Sequence, residues 1–197
     1  MIRLGISVEG TTEREFVNRV LAPYLAGLQV YTQPIAMNGS VSLDRIRTEM
    51  RPLLCSFDWV TTLYDLYAFK KRSGRSAEQL ETAMQSIVKG FGQGKLVPYV
   101  QIYEFEALMF AGPEETAEEL GNPALADQIR DAVQQCGSPE AVNDGYETCP
   151  SRRLKRLFPH YNKKLHGPVI AQRIGLERLR QACPRFGQWL AKLEDLS

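Results

Sequence analysis

The 197-residue sequence has no apolar run approaching the ~20 residues that a membrane-spanning helix needs. Its opening stretch, Met1 to Val8, meets Glu9 too early to form the apolar segment of a secretory signal. The four cysteines, Cys55, Cys136, Cys149 and Cys183, include no C-x-x-C pair, which speaks against a zinc cluster or a redox motif. Two histidines, His160 and His166, are too few for a His-rich metal site. No P-loop, G-x-G-x-x-G or kinase signature is present, so ATP hydrolysis by the chain itself is not expected. These absences describe a cytoplasmic protein with reduced thiols and no membrane partner. Against them stand 44% hydrophobic and 24% charged residues, values that suit a folded domain with or without a helical annex.

Net charge is +1, but its distribution is uneven. Residues 104–150 carry eleven acidic side chains and one basic one, whereas residues 151–197 carry eleven basic and three acidic. Two solvated helical faces that attract each other explain this most simply. A basic surface for a phosphate-bearing partner beside an acidic cation site is the sharper reading.

The first half alternates strand and helix signals. Strands are predicted over 2–8, 29–36, 57–64 and 97–103, where β-branched, aromatic and aliphatic residues concentrate. Helices fall between them. Thr11 or Thr12 would cap the first, with Glu15 as its capping-box partner, and Ser42 or Asp44 the second. A third runs over 77–91, after a basic, flexible loop at 70–76, and an apolar helix opens at Glu104. Strands separated by helices imply a mostly parallel sheet. Beyond residue 113 only helices are expected, with Pro113, Pro123 and Pro139 in first turns and further segments at 151–158, 168–174, 176–182 and 185–196. The chain therefore divides into an α/β core, 1–112, and a helical part, 113–197, packed on it as one compact unit.

Three predicted strands end on carboxylates: Glu9, with Glu13 one helical turn on; Asp65; and Glu104 with Glu106. Ligands of open α/β sheets bind outside the carboxyl ends of the strands. Acids gathered there repel one another unless a cation joins them, and Mg²⁺ or Mn²⁺ favours such oxygen ligands. Taken singly, each acid also suits the positive end of a helix. In the tail, Arg152, Arg153, Lys155 and Arg156 cluster, followed by Lys163 and Lys164. They suit phosphate contacts on DNA or RNA, with Tyr161 as a base-stacking ring, or equally the wet face of an amphipathic helix. Lys164 is the lysine expected to offset negative charge near the metal. His166, followed by Gly167, reads as a turn residue or a buried hydrogen-bonding histidine rather than a ligand or base.

Several of these pieces together resemble the DUF4276 family of bacterial proteins: Val8-Glu9-Gly10-Thr11-Thr12-Glu13, Tyr64-Asp65-Leu66-Tyr67, Tyr103 to Phe110, Pro150-Ser151-Arg152-Arg153-Leu154, Tyr161-Asn162-Lys163-Lys164, His166-Gly167, and Cys183-Pro184-Arg185-Phe186 with Trp189-Leu190. The resemblance implies a Toprim-like fold, similar to that of the overcome-lysogenization-defect nucleases. It implies that Glu9 serves in acid/base work or metal binding and that Glu9, Glu13, Asp65, Glu104 and Glu106 hold Mg²⁺ or Mn²⁺. Lys163 or Lys164 would be the late lysine. The implied activity is a metal-dependent phosphodiesterase or nuclease in a bacterial defence or mobile-element module, with an ATPase partner. The sequence departs from the pattern at Tyr67, where such folds carry the second aspartate of D-x-D. That departure keeps open a non-catalytic nucleic-acid-binding or regulatory subunit with a degenerate site. An enzyme acting on a small nucleotide is a third reading.

Overall fold

The computed structural model describes residues 1–92, 94–143 and 149–196. Four parallel strands form the main path of the sheet in the order β2-β1-β3-β4: β1 (Ile2–Val8), β2 (Val30–Ala36), β3 (Trp59–Asp65) and β4 (Leu96–Val97). A further strand, β5 (Val100–Gln101), also pairs with β3 in parallel. The order steps outward from β1 to β2, then returns to β3 on the other side of β1. This reversal places the topological switch point between the C-terminal ends of β1 and β3. Pro34 lacks a donor and is tolerated because β2 lies at the edge.

The fourth strand is shorter than its composition predicts. Pro98 divides 97–103 into β4 and β5, and two threonines of β3 bridge the break. Thr61 donates its hydroxyl to the Val97 carbonyl at 2.5 Å. The Thr62 hydroxyl donates to the Tyr99 carbonyl and accepts from the Tyr99 amide, both at 2.8 Å.

Period-two alternation sorts side chains between two apolar layers. On one face, Val60 and Tyr64 pack with α3 (Leu43–Ser56) and α4 (Ala77–Val88). On the other, Leu4, Ile6, Val8 and Leu63 pack beneath α1 (Thr11–Phe16), a π-helical turn (Val17–Leu21) and α2 (Ala22–Gly27). The C-terminal helices join this second layer: α5 (Pro113–Glu119), α6 (Leu125–Cys136), α7 (Pro150–Leu157), α8 (Lys163–Ile174), α9 (Leu176–Ala182) and α10 (Pro184–Glu194). Residues from both sides of position 112 thus share one core. No helix among the described residues is long and apolar enough to cross a membrane.

Three local expectations change. The first helix is capped at Gly10, whose amide donates to Glu13 Oε2 at 3.1 Å, so the capping partner is Glu13 rather than Glu15. The segment Phe105–Ala111 is a 3₁₀ helix. The helix foreseen over 168–174 begins earlier, at Lys163, because Asn162 caps it and Pro168 is accommodated within it.

The Cys183-to-Leu190 motif proves structural. The Arg185 and Phe186 amides donate to the buried Glu140 carboxylate at 2.9 and 3.2 Å, which caps α10. The Arg185 guanidinium pairs with Glu78 and Glu81 of α4. Trp189 stacks on Tyr99 at 4.6 Å and donates its indole N–H to Thr61 Oγ1 at 2.8 Å. Substituting Trp189→Phe removes that donor and part of the stack. It should cost about 1–3 kcal/mol, read from urea unfolding midpoints.

Candidate metal centre

Glu9 follows β1 directly, and Asp65 is the last residue of β3, on the face shared with Leu63 and therefore turned toward the C-terminal helices. Glu13 lies one turn into α1 on the face that Glu9 approaches. One carboxylate oxygen from each of Glu9, Glu13 and Asp65 lies within 4.8 Å of the others. Glu106 arrives from a third direction. After β5 the chain reverses at Tyr103, which adopts a left-handed φ of 61°. A bulky aromatic in that region is strained. The reversal is held by the Tyr67 amide, which donates to the Tyr103 carbonyl at 3.1 Å.

The lysine that meets these acids is Lys163. Its Nζ lies 2.9 Å from Asp65 Oδ2, 3.3 Å from Glu106 Oε2 and 3.5 Å from Glu13 Oε1. About a third of its side chain is exposed, while the three carboxylates are almost wholly buried. Lys163 is therefore a long stem at the surface with its charged end inside. Lys164, the lysine expected from sequence, is exposed, and its backbone amide donates to Asn162 Oδ1 at 3.1 Å. One residue along a helix rotates the side chain by about 100°, so the cap at Asn162 decides which lysine enters. Gly167, one turn further on the same face, permits the approach. A Cβ there would stand 3.1 Å from Met109, 3.3 Å from Phe105 and 3.4 Å from Thr12.

Glu104 is placed differently from the sequence expectation. Its two oxygens accept from the Ser151 amide at 2.9 Å and the Ser151 hydroxyl at 3.0 Å, so it caps α7. Arg152 and Arg153 lie on α7, and each has partners within the chain. Arg153 lines a cavity of about 240 Å³ with Arg156 and Asp131. Tyr161 is buried, its hydroxyl 3.5 Å from Glu106 Oε1, which leaves no ring for a base. His166 accepts the Asn162 amide on Nδ1 at 3.0 Å, a capping role. Tyr67 leans on Tyr103 with ring centres 5.6 Å apart, its hydroxyl accepting from Asn143. It offers no carboxylate where D-x-D patterns have one.

Four carboxylates face one ammonium. Burial, and for Glu9 then the charge of Glu13, pushes the carboxyls of Glu9 and Glu106 above their ordinary range and Asp65 well above it. Burial works against the Lys163 charge, but Asp65, Glu106 and Glu13 outweigh it and hold the ammonium well above the usual lysine range. Four buried oxygens at this spot accept no hydrogen bond: Glu9 Oε2, Glu13 Oε1, Asp65 Oδ1 and Glu106 Oε2. Buried, hard oxygens that accept no hydrogen bond, three of them from the closely spaced Glu9, Glu13 and Asp65, are a fitting donor set for a divalent cation, which would offset much of the negative charge that Lys163 leaves uncompensated.

The described residues form an open parallel sheet with acids at its switch point and a helical cover, an α/β architecture whose structural likenesses make it Toprim-like in fold. The fold is shared with the C-terminal region of the Xanthomonas campestris pv. campestris OLD protein, at 18% identity and a TM-score of 0.51, covering 98% of this chain and 94% of that one. It is shared likewise with the C-terminal region of the Burkholderia pseudomallei OLD protein, at 15% identity and a TM-score of 0.52, covering 100% and 98%. The family described as a domain of unknown function, DUF4276, matches residues 8–194, and the chain belongs to it. No curated protein matches.

Two outcomes follow from the electrostatics. Replacing Lys163→Met strands buried carboxylates and should destabilise the ion-free protein at pH 8 by about 3 kcal/mol, whereas Lys164→Met should change stability by less than about 0.5 kcal/mol, both measured by denaturant unfolding. The raised carboxyls also set a pH dependence. Above about pH 4 the folded protein keeps protons that the unfolded chain has released, so ion-free stability falls as pH rises through the raised values. The raised lysine acts only near and above its own unfolded value of about 10.4, outside this window. Glu9→Gln should therefore raise the Tm in EDTA at pH 8 by a few degrees, with a smaller gain at pH 5, read by scanning calorimetry.

Proposed function

We propose that this protein is a divalent-metal-dependent phosphodiesterase of Toprim type that acts on a nucleic acid. The observation that carries the reading is the set of four carboxylates at the switch point, three buried and Glu9 half-buried, each with an oxygen that accepts no hydrogen bond, and one lysine that meets three of them. Glu9, Glu13 and Asp65 would hold Mg²⁺ or Mn²⁺, with Glu106 completing the donor set. When bound there, a divalent ion would supply Lewis acidity at the scissile phosphate and lower the pKa of a bound water. Glu9, half-buried at the rim, would take the proton of the attacking water as its oxygen bonds to phosphorus, and the sugar oxygen released as the opposite P–O bond breaks would take a proton from solvent. The Lys163 ammonium donates to a phosphoryl oxygen and offsets charge as it develops. Lys163 thereby assumes the role that sequence reasoning gave to Lys164. With Tyr67 contributing no carboxylate, the reading is of one ion and one ammonium. Residues 1–112 carry this chemistry and residues 113–197 supply its lysine and its cover.

The resemblance to nucleases of defence modules supports placing the protein in such a module beside an ATPase partner. A second reading, a non-catalytic nucleic-acid-binding or regulatory subunit, is favoured by Tyr67 itself, packed on Tyr103 in place of a ligand.

Incubation with labelled DNA, RNA and mononucleotides in Mn²⁺ or EDTA separates these readings, alongside Mn²⁺ calorimetry. The expected result is cleavage of a polynucleotide that needs Mn²⁺ and falls at least 100-fold in Asp65→Asn. Mn²⁺ binding should be lost in Glu9→Gln/Asp65→Asn. Neither binding nor cleavage by the wild type would support the non-catalytic subunit. Cleavage of mononucleotides alone would support a nucleotide-handling enzyme.

A further inference from the structure

A second charged surface lies on the same rim. The segment that follows β2 and the loop that follows β3 are joined there by a bridge between Val41 and Phe69 and by the Lys70 amide, which donates to the Val41 carbonyl at 2.8 Å. The loop is further shaped by the Arg75 amide, which donates to the Arg72 carbonyl at 3.1 Å. Between this loop and α3 opens a cleft of about 480 Å³ whose walls carry Arg47, Lys70, Lys71 and Arg75 against one carboxylate, Asp44.

None of these four cations has an acidic partner within 4.0 Å among the described residues. The C-terminal half behaves differently. Arg130, Arg173, Arg178 and Arg185 are each paired with glutamates. Gathering unpaired cations costs repulsion, and an anionic ligand returns that cost. The position narrows the ligand. Phe69 is four residues beyond Asp65, so the chain between them spans at most ~14 Å. Phosphates along one strand recur every ~3.4 Å of duplex axis, which places the Phe69 wall of the cleft within about four phosphates of Asp65; the cleft itself opens on the α3–α4 layer, so a strand that reaches the acids from it crosses the rim. The acid cluster repels a polyanion, and a strand brought to it needs positive charge alongside.

We propose that the cleft lined by Arg47, Lys70, Lys71 and Arg75 binds the phosphate backbone of the polynucleotide strand presented to the acid cluster. This inference rests on the phosphodiesterase reading for the strand's destination, but its binding step requires no metal. It also moves the main nucleic-acid contact away from Arg152, Arg153, Lys163 and Lys164. The first two have partners in the chain, and Lys163, held among the carboxylates, is left for the scissile phosphate alone.

The test is fluorescence anisotropy on the full chain in EDTA, with labelled single- and double-stranded oligonucleotides of about 20 nucleotides, a length that exceeds common single-strand site sizes. Lys70→Gln/Lys71→Gln/Arg75→Gln should weaken binding tenfold or more. It should also lower the slope of log K against log salt by about 2–3, since each lost phosphate contact contributes about 0.7 on single strands and 0.9 on duplex. A charge-matched variant, Lys89→Gln/Lys95→Gln/Lys192→Gln, should bind as the wild type does. Unchanged affinity in the first variant overturns the proposal, as does equal loss in both variants or no binding by the wild type. Equal affinity for polyglutamate, lost in the same variant, overturns it in favour of an acidic protein partner. Mn²⁺ calorimetry on the acid cluster keeps the two readings apart. Lost metal binding with intact cleft dependence sinks the metal chemistry alone, and the reverse sinks the cleft alone.

Discussion

The contact between the Lys163 ammonium and the carboxylates of Asp65, Glu106 and Glu13 is the constraint on which the rest of the molecule depends. It joins the end of β3, the start of α1, the 3₁₀ segment and the first residue of α8 in one charged cluster. Buried ion pairs add little net stability when compared with apolar packing, because both partners lose water. Their geometry is nonetheless demanding. Here it fixes the helical cover against the sheet, and Gly167 supplies the close backbone approach that the lysine's reach requires.

The remaining acidic residues divide between support and surface. Glu104 and Glu140 each close the N-terminus of a helix, α7 and α10. Glu114, Glu115, Glu118 and Glu119 of α5 receive arginines from α6, α8 and α9. Part of the acidic middle and basic tail is thus mutual pairing between neighbouring helices, through Arg173 and Arg178 on Glu114, Glu115, Glu118 and Glu119. Such exposed pairs contribute about 0–1 kcal/mol each. They also withdraw those arginines from any anionic partner, whereas Arg47, Lys70, Lys71 and Arg75 gather on one cleft with no acidic partner within 4.0 Å among the described residues.

Strain and unsatisfied charge coincide at the candidate centre. Tyr103 sits in a left-handed conformation, four carboxylate oxygens lack hydrogen bonds, and three carboxyls are raised by burial. Each of these lowers stability, and each follows from packing the ends of β1, β3 and β5 against a helical cover. Cost concentrated in one place is what a preorganised site exhibits.

Much of this was legible in sequence. Apolar periodicity marked β1, β2, β3 and most of the helices, because burial on one face writes itself into local spacing. The acids at strand ends were legible for the same reason, since strand termini in a parallel sheet converge on one rim. Other features required the folded chain. Whether Lys163 or Lys164 enters is set by the rotational phase of α8, and that phase depends on a cap at Asn162. Whether Glu104 joins the acids or caps α7 depends on a reversal at Tyr103 that no propensity marks. The partnering of the C-terminal arginines depends on helices far apart in sequence. Local pattern determines which residues are buried and which element they occupy. Which charges meet is decided by long-range packing, because a side chain's partner is chosen by distance in space.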